Sequence, residues 1–488
     1  MRRKTLVLVL LLCGIATAME APSTTPASQN PVNTPDATLP QNPTPNNPGT
    51  GMTYPAQAGA ASPQAPAQTA TPQSPPQIPA TGTVMRLTVQ DAEALALRNN
   101  PQISVYRLLA LASQQVTREA KSNYYPTAYG SFTGVEPKDG SRISAGNLNN
   151  PIIYERIAGG VTLAQLITDF GRTSNLVAAA ALRAKADNMN AAATAAQIRL
   201  AVDQAFYNAL QANAELKVAE QTVSARQLVS DQITTLFNNK LKSQLDVSFA
   251  DANLAQAKLL LLDAQNNYQA ALSGLSEILG YPEQQQLELA DIEAQLAPPP
   301  DAVSPLLDQA FSNRPEIAAQ SYEVQASQRF QKAERDLLLP DVRAVGTVGG
   351  VPTGAPELDT WYGAVGFNVN IPIFNGFLYP ARSREAALRA QADQERLRDL
   401  KNRIANDVRT SWLNTQTAFR RIAVTQQFVD QTNLAVDLSQ TRYNLGLGSI
   451  VELSQAQLQQ TEAQIQFAAA KYQYRIAEAV LRFQIAAP

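Results

Sequence analysis

The sequence predicts an α+β membrane protein in which each of two related halves supplies a pair of short amphipathic strands and a long helical hairpin. Three observations predict it. Prolines recur in pairs at a fixed spacing, period-two stretches about as long as a tilted membrane strand follow them, and helical stretches of about 65 residues without breakers come next.

The chain of 488 residues opens with Arg2, Arg3 and Lys4, an apolar run from Leu6 to Leu12, and Ala16-Thr17-Ala18 in a small-x-small arrangement. Residues 1–18 therefore read as a cleavable export signal, too short in its apolar part to span a bilayer permanently. Cys13 offers a lipid-modified N-terminus as the alternative, but it follows Leu12, where a lipidation signal wants a small residue, so the unlipidated reading is preferred. Removing residues 1–18 takes three cations and no acid, leaving 36 Lys and Arg against 41 Asp and Glu. Residues 19–84 hold 15 of the 31 prolines and only two charges, Glu20 and Asp36. With few large apolar groups to offset chain entropy, this segment is expected to be disordered.

Function classes fall away early. With no histidine and one cysteine, the chain lacks imidazole bases, Ser-His-Asp systems, thiolate zinc sites and internal disulfides, so no enzyme, metal or cofactor site is expected. The near balance of charge advertises no nucleic acid.

The first half, residues 85–297, has a helical stretch from Asn100-Pro101 to Tyr125-Pro126, and the second, residues 298–488, has one from Arg314-Pro315 to Leu339-Pro340, 214 residues on. Asp169-Phe170-Gly171 is echoed by Ile373-Phe374-Asn375-Gly376, and Leu241, Ser243, Leu245, Asp246 and Val247 by Leu447, Ser449, Val451, Glu452 and Leu453 at a spacing of 206. The halves join near Ala297-Pro298-Pro299-Pro300. Strand alternation is clearest from Ala364 to Ile373, where Val365, Phe367, Val369, Ile371 and Ile373 face one way, and looser from Arg156 to Ile167. Tyr129, Trp361, Phe374 and Phe377 lie near strand ends, as interface aromatics do.

The helical stretches run from Arg172 to Phe237 and from Leu378 to Tyr443, with Pro380 tolerable near a helix start. Val202, Ala209, Leu216, Val223, Ser230 and Phe237 fall on one heptad position, and Ala205, Ala212, Ala219, Arg226 and Ile233 three residues on. The second half repeats the plan with Val408, Thr415, Ile422, Val429, Val436 and Tyr443 beside Ser411, Ala418, Thr425, Thr432 and Ser439. Large beside small suits closely spaced helices meeting along a seam. Four strands leave two open edges, which hydrocarbon does not tolerate, so the sheet must close with copies of itself as eight or twelve strands. A secreted structural coiled-coil protein with a soluble cap is the competing class.

From Leu87 to Ile485 the chain resembles the TolC family of outer-membrane efflux and secretion channels. The likeness rests on Leu87-Thr88-Val89-Gln90-Asp91-Ala92 leading to Asn99-Asn100-Pro101, on Asp169-Phe170-Gly171-Arg172, and on Tyr443-Asn444-Leu445-Gly446-Leu447-Gly448-Ser449-Ile450-Val451-Glu452-Leu453. It implies a homotrimer, with a twelve-stranded barrel in outer-membrane lipid continuous with a periplasmic helical barrel that docks with an inner-membrane transporter through a periplasmic adaptor. It also implies that the hairpin turns form the periplasmic mouth. Asp246 and Glu452 match acidic positions there, and Tyr443 matches a tyrosine that packs the closed state. Lys240, Leu241, Lys242 and Ser243, with Gly446, Leu447, Gly448 and Ser449, match the adaptor contact. Six carboxylates in a trimer would draw cations, while each acid also suits the start of its helix. Gln455 stands where the family has a second acidic ring residue, and Gly448 where its best-known member has a basic one, so a salt-bridged gate does not carry over.

Overall fold

A computed structural model of the chain describes residues 85–136, 138, 156–291, 296–353 and 359–487. The expectations for residues 1–18 and 19–84 lie outside the described residues. Fourteen elements are described in order: β1 (Met85–Leu87), α1 (Val89–Asn99), α2 (Pro101–Ser122), β2 (Thr127–Val135), β3 (Arg156–Thr168), α3 (Arg172–Asn238) and α4 (Gln244–Ile278), then β4 (Leu287–Leu289), α5 (Ser304–Asn313), α6 (Pro315–Asp336), β5 (Asp341–Thr353), β6 (Trp361–Asn370), α7 (Leu378–Asn444) and α8 (Ile450–Gln484). The helices α2 and α6 are each 22 residues long, α3 and α7 each 67, and α4 and α8 each 35.

Local chemistry sets the boundaries. Asn100 accepts from Gln102 N at 2.9 Å with Pro101 at the first helical position, where its missing N–H costs nothing. The same side chain donates to Ile278 O at 3.0 Å, tying the start of α2 to the end of α4. Beside it Gly280 has φ +85°, and a Cβ there would lie 2.8 Å from Asn99 O, so only glycine fits. At the strand-to-helix turn, Asp169 accepts from Gly171 N at 3.2 Å and Thr173 N at 2.7 Å, capping a helix whose N-cap glycine has no side chain.

The strands form one antiparallel sheet in the order β2-β3-β5-β6, so β3 and β5 join the two halves and β2 and β6 are its edges. Every residue of β6 is exposed, including Val365 at 93 % and Phe367 at 78 %. The expected strand Ala364 to Ile373 is displaced. β6 starts at Trp361, and its ladder ends with Asn370 opposite Asp341; the next residue on the partner side is Pro340 and Pro372 follows two residues on in this strand, and neither has an N–H to extend the ladder. Apolar alternation persists to Ile373, but the hydrogen bonds do not.

The helices α3 and α7 would each be about 100 Å long at their residue count. Every heptad residue named above is buried or half-buried. One apolar cluster gathers Val202, Phe206, Leu275 and Leu279, and a second gathers Ile404, Val408, Leu306 and Leu481. The proline-rich junction is strapped to the second hairpin: Trp412 Nε1 and Gln416 donate to Pro300 O at 2.8 and 3.1 Å, and Tyr474 donates to Ala297 O. Among the described residues no helix is long and apolar enough to cross a membrane.

Candidate functional site at the hairpin tips

The two hairpins turn in the same way. In the first, Lys240 N donates to Phe237 O at 2.8 Å and Leu241 N to Leu236 O at 2.9 Å. In the second, Gly446 N donates to Tyr443 O at 3.1 Å and Leu447 N to Arg442 O at 2.8 Å. Both are Schellman terminations, which require a left-handed residue just past the helix. Lys240 supplies it in one with φ 62°, and Gly446 in the other with φ 73°. The residues that follow, Leu241 and Leu447, are each 69 % exposed, so each turn presents one leucine to its surroundings.

The helices that leave the turns start differently. Ser243 Oγ accepts from Asp246 N at 3.2 Å, while Asp246 Oδ2 accepts from Ser243 N at 3.0 Å and from its Oγ at 2.7 Å, completing a capping box. Ser449 Oγ likewise accepts from Glu452 N at 3.1 Å, but the Glu452 carboxylate turns away and pairs with Arg442 Nε at 3.2 Å. Arg442 also donates to Leu447 O at 3.2 Å, closing its own turn. Gly448 makes room for this pair: a Cβ there would lie 3.2 Å from Arg442 Cβ and 3.3 Å from a Glu452 carboxylate oxygen.

The tips meet through Tyr443. Its ring is 4 % exposed in a cluster with Ile233, Val247, Ala250, Ile450 and Leu453, drawn from both hairpins. Lys242 of the first turn lies with Nζ 3.7 Å from the centroid of that ring, in a cation–π contact. Burial, then the Asp246 carboxylate, pushes the Tyr443 phenol up to about 12, and its hydroxyl is buried without a well-placed hydrogen-bond partner among the described residues. Burial acts to raise the Asp246 carboxyl, but hydrogen bonds from Ser243 and the charge of Lys242 outweigh it and hold the group below its ordinary value.

Of the residues expected at this site, Tyr443, Lys242 and Asp246 come together across the two tips, whereas Glu452 pairs within its own hairpin. Lys240, Leu241, Ser243, Gly446, Leu447 and Ser449 are exposed and Gly448 half-buried. Sequence reasoning missed Arg442, the partner of Glu452. A cation ten residues before the acid, on the far side of a glycine turn, was the available signal. Among the described residues no cluster of three or more acids, cysteines or histidines is placed to hold a metal ion.

Comparison with known proteins gives the same architecture a family. The chain is 25 % identical over 280 residues to the outer membrane protein TolC of Salmonella enteritidis, covering 55 % of this chain and 56 % of that protein. The match thus spans about half the length of that relative. It is 23 % identical over 415 residues to the outer membrane efflux protein BepC of Brucella suis biovar 1 (strain 1330), covering 81 % of this chain and 84 % of that one. The solved structure of CusC shares the fold with a TM-score of 0.72 at 18 % identity, over 81 % of this chain and 91 % of that chain. The family model described as Outer membrane efflux protein matches residues 92–281 and 306–487, most of the chain in two pieces, and the chain therefore belongs to the outer membrane efflux protein family.

Proposed function

We propose that this chain is one third of a passive export duct: a trimer whose sheets close into a twelve-stranded barrel in the outer membrane and whose helical hairpins line a tunnel through the periplasm. The observation that carries this reading is a four-stranded sheet with an exposed apolar face and, among the described residues, both edges unpaired, joined directly to two helices of 67 residues. In hydrocarbon each unpaired edge group would cost several kcal/mol, so β2 of one copy must pair with β6 of the next. The equal lengths of three pairs of corresponding helices, α2 with α6, α3 with α7 and α4 with α8, support reading the two halves as structural repeats.

Within that assembly the hairpin tips form the periplasmic mouth, where an adaptor and, through it, an inner-membrane transporter would engage. Exposed Leu241 and Leu447 give each turn an apolar knob for such a partner. From 238 to 246 and from 442 to 452 the turns carry three cations, Lys240, Lys242 and Arg442, against two acids, Asp246 and Glu452. Each acid is engaged by a serine cap or an arginine, so the mouth is closer to charge-balanced than to a bare carboxylate ring.

The test uses one cysteine in β2 and one in β6 of a chain whose single native cysteine lies in the expected signal. Oxidation in the membrane should yield a ladder ending at three chains, and the purified oligomer should conduct in planar bilayers. A ladder ending at two would point to eight strands. A water-soluble, non-conducting product would favour the secreted coiled-coil alternative.

A further inference from the structure

One residue of the helical seam fits neither its heptad nor the export reading. In the line Ala205, Ala212, Ala219, Arg226 and Ile233, the small positions are broken by an arginine, and its counterpart 206 residues on is Thr432. Thr432 satisfies its hydroxyl within its own helix, donating to Phe428 O at 2.9 Å. Arg226 has no comparable arrangement. It is 8 % exposed, no carboxylate among the described residues pairs with it, and its hydrogen bond there, from Nη2 to Thr461 Oγ1, is long at 3.5 Å. Burial alone, with no acid contributing, lowers its guanidinium to about 10, so it remains charged at neutral pH. A buried, unpaired cation is costly to keep, and arginine is the side chain best shaped to hold a planar oxyanion.

Arg226 also lines a groove of about 370 Å³ between α3, α4 and α8, above the tips. That volume falls in the range of small-molecule sites, which combine apolar walls with a few polar groups. Ala257, Leu260, Leu458 and Ile465 supply the walls. Arg226 is the only cation in the lining, and the only acid, Glu462, is exposed and accepts instead from Gln466 at 3.0 Å. We infer that this groove binds an amphiphilic organic monoanion, with its carboxylate or sulfonate on the Arg226 guanidinium and its apolar body against Leu260, Leu458 and Ile465. The groove is built by three helices of one protomer; its test rests on the proposed oligomer, but the preference for acid over amide reads out separately from assembly and conductance.

The test is calorimetric titration of the full oligomer in lipid nanodiscs with 4-phenylbutyrate and with its uncharged analogue 4-phenylbutyramide. Saturable binding of the acid at least tenfold tighter than the amide is expected, with the preference falling below twofold in Arg226→Gln. Equal affinities, or a preference that survives Arg226→Gln, would overturn the assignment. Should Arg226→Gln fail to assemble, Leu458→Trp, at a position 53 % exposed, fills the groove from its open side and should abolish binding. Binding that persists there also refutes it. No binding by the wild type, with loss of the oligomer in Arg226→Gln, would mean that a neighbouring chain's carboxylate already occupies the site, and the inference would fall.

Discussion

The two hairpin tips share a backbone and differ in their chemistry. Both close with the same pair of hydrogen bonds, both expose a leucine to the same extent, and both lead into helices of 35 residues. Yet the left-handed residue is Lys240 in one and Gly446 in the other, and the acid three residues past the N-cap serves as a cap in one and as half of an ion pair in the other. Spacing fixes where a turn falls. What each carboxylate then does depends on which cation lies within reach.

The largest expected difference concerns the ring that ends each seam. Tyr443 is buried among residues of both hairpins, while its counterpart Phe237 is only partly buried against the same cluster. Truncating a fully buried aromatic costs about 3 to 5 kcal/mol, and a half-buried one less. Tyr443→Ala should therefore raise hydrogen exchange at both tips, whereas Phe237→Ala should have a smaller effect confined to the first. Equal effects would mean that Tyr443 does not join the hairpins.

The caps come next. Ser243→Ala removes an N-cap and breaks a reciprocal box, at about 1 to 2 kcal/mol of local stability, and Ser449→Ala removes a single bond, at about 1 kcal/mol. Because the folded Asp246 carboxyl sits below its ordinary value, its contribution is complete above about pH 4 and is lost as pH falls through the depressed value. The mid-section of α3 runs the other way. Burial, then the neighbouring Glu93 charge, pushes the Asp203 carboxyl up to about 7, so stability there is greatest below about pH 4 and declines as pH rises towards 7. Exchange measured at pH 3.5, 5.5 and 7.5 should show opposite trends at the start of α4 and around Asp203, and Asp203→Asn should flatten the second alone.

Much of this fold was legible because its signals are long. A stretch from Arg172 to Phe237 without glycine or proline, with a heptad running through it, leaves little but helix, and α3 ends one residue later. The end of β6 was misread because apolar alternation continues to Ile373, whereas the ladder depends on N–H groups that Pro340 and Pro372 lack. At the tips, Ser243 and Asp246 carry their capping signature openly. Ser449 and Glu452 carry a closer match to that signature yet form only half of it, since Arg442 draws the carboxylate away. Contacts that cross a turn leave no periodic trace, which is why Arg442 was missed, and a heptad position does not reveal whether its occupant finds a partner, which is why Arg226 read as one more seam position.

Exchanging the left-handed residues sharpens the comparison further. A side chain at positive φ costs about 1 kcal/mol relative to glycine, so Lys240→Gly should stabilise the first turn and Gly446→Lys should destabilise the second by similar amounts. Nothing lies within 4 Å of a Cβ at Gly446, so backbone strain alone is being measured there. Effects of the same sign at both tips would show that the turns are not conformational equivalents.

The smallest effect belongs to the ion pair. Arg442 and Glu452 are 56 % and 43 % exposed, and at that exposure water and salt leave about 0.5 kcal/mol. Glu452→Gln should therefore cost little, and the cost should vanish at high salt. If the carboxylate is held away from a complete capping box only by Arg442, then Arg442→Gln should release Glu452 to accept from Ser449 N, as Asp246 accepts from Ser243 N in the first tip. Exchange at Ser449 N would slow even though an interaction had been deleted. Faster exchange there would show that the second tip differs in its backbone after all, and not only in the cation beside its acid.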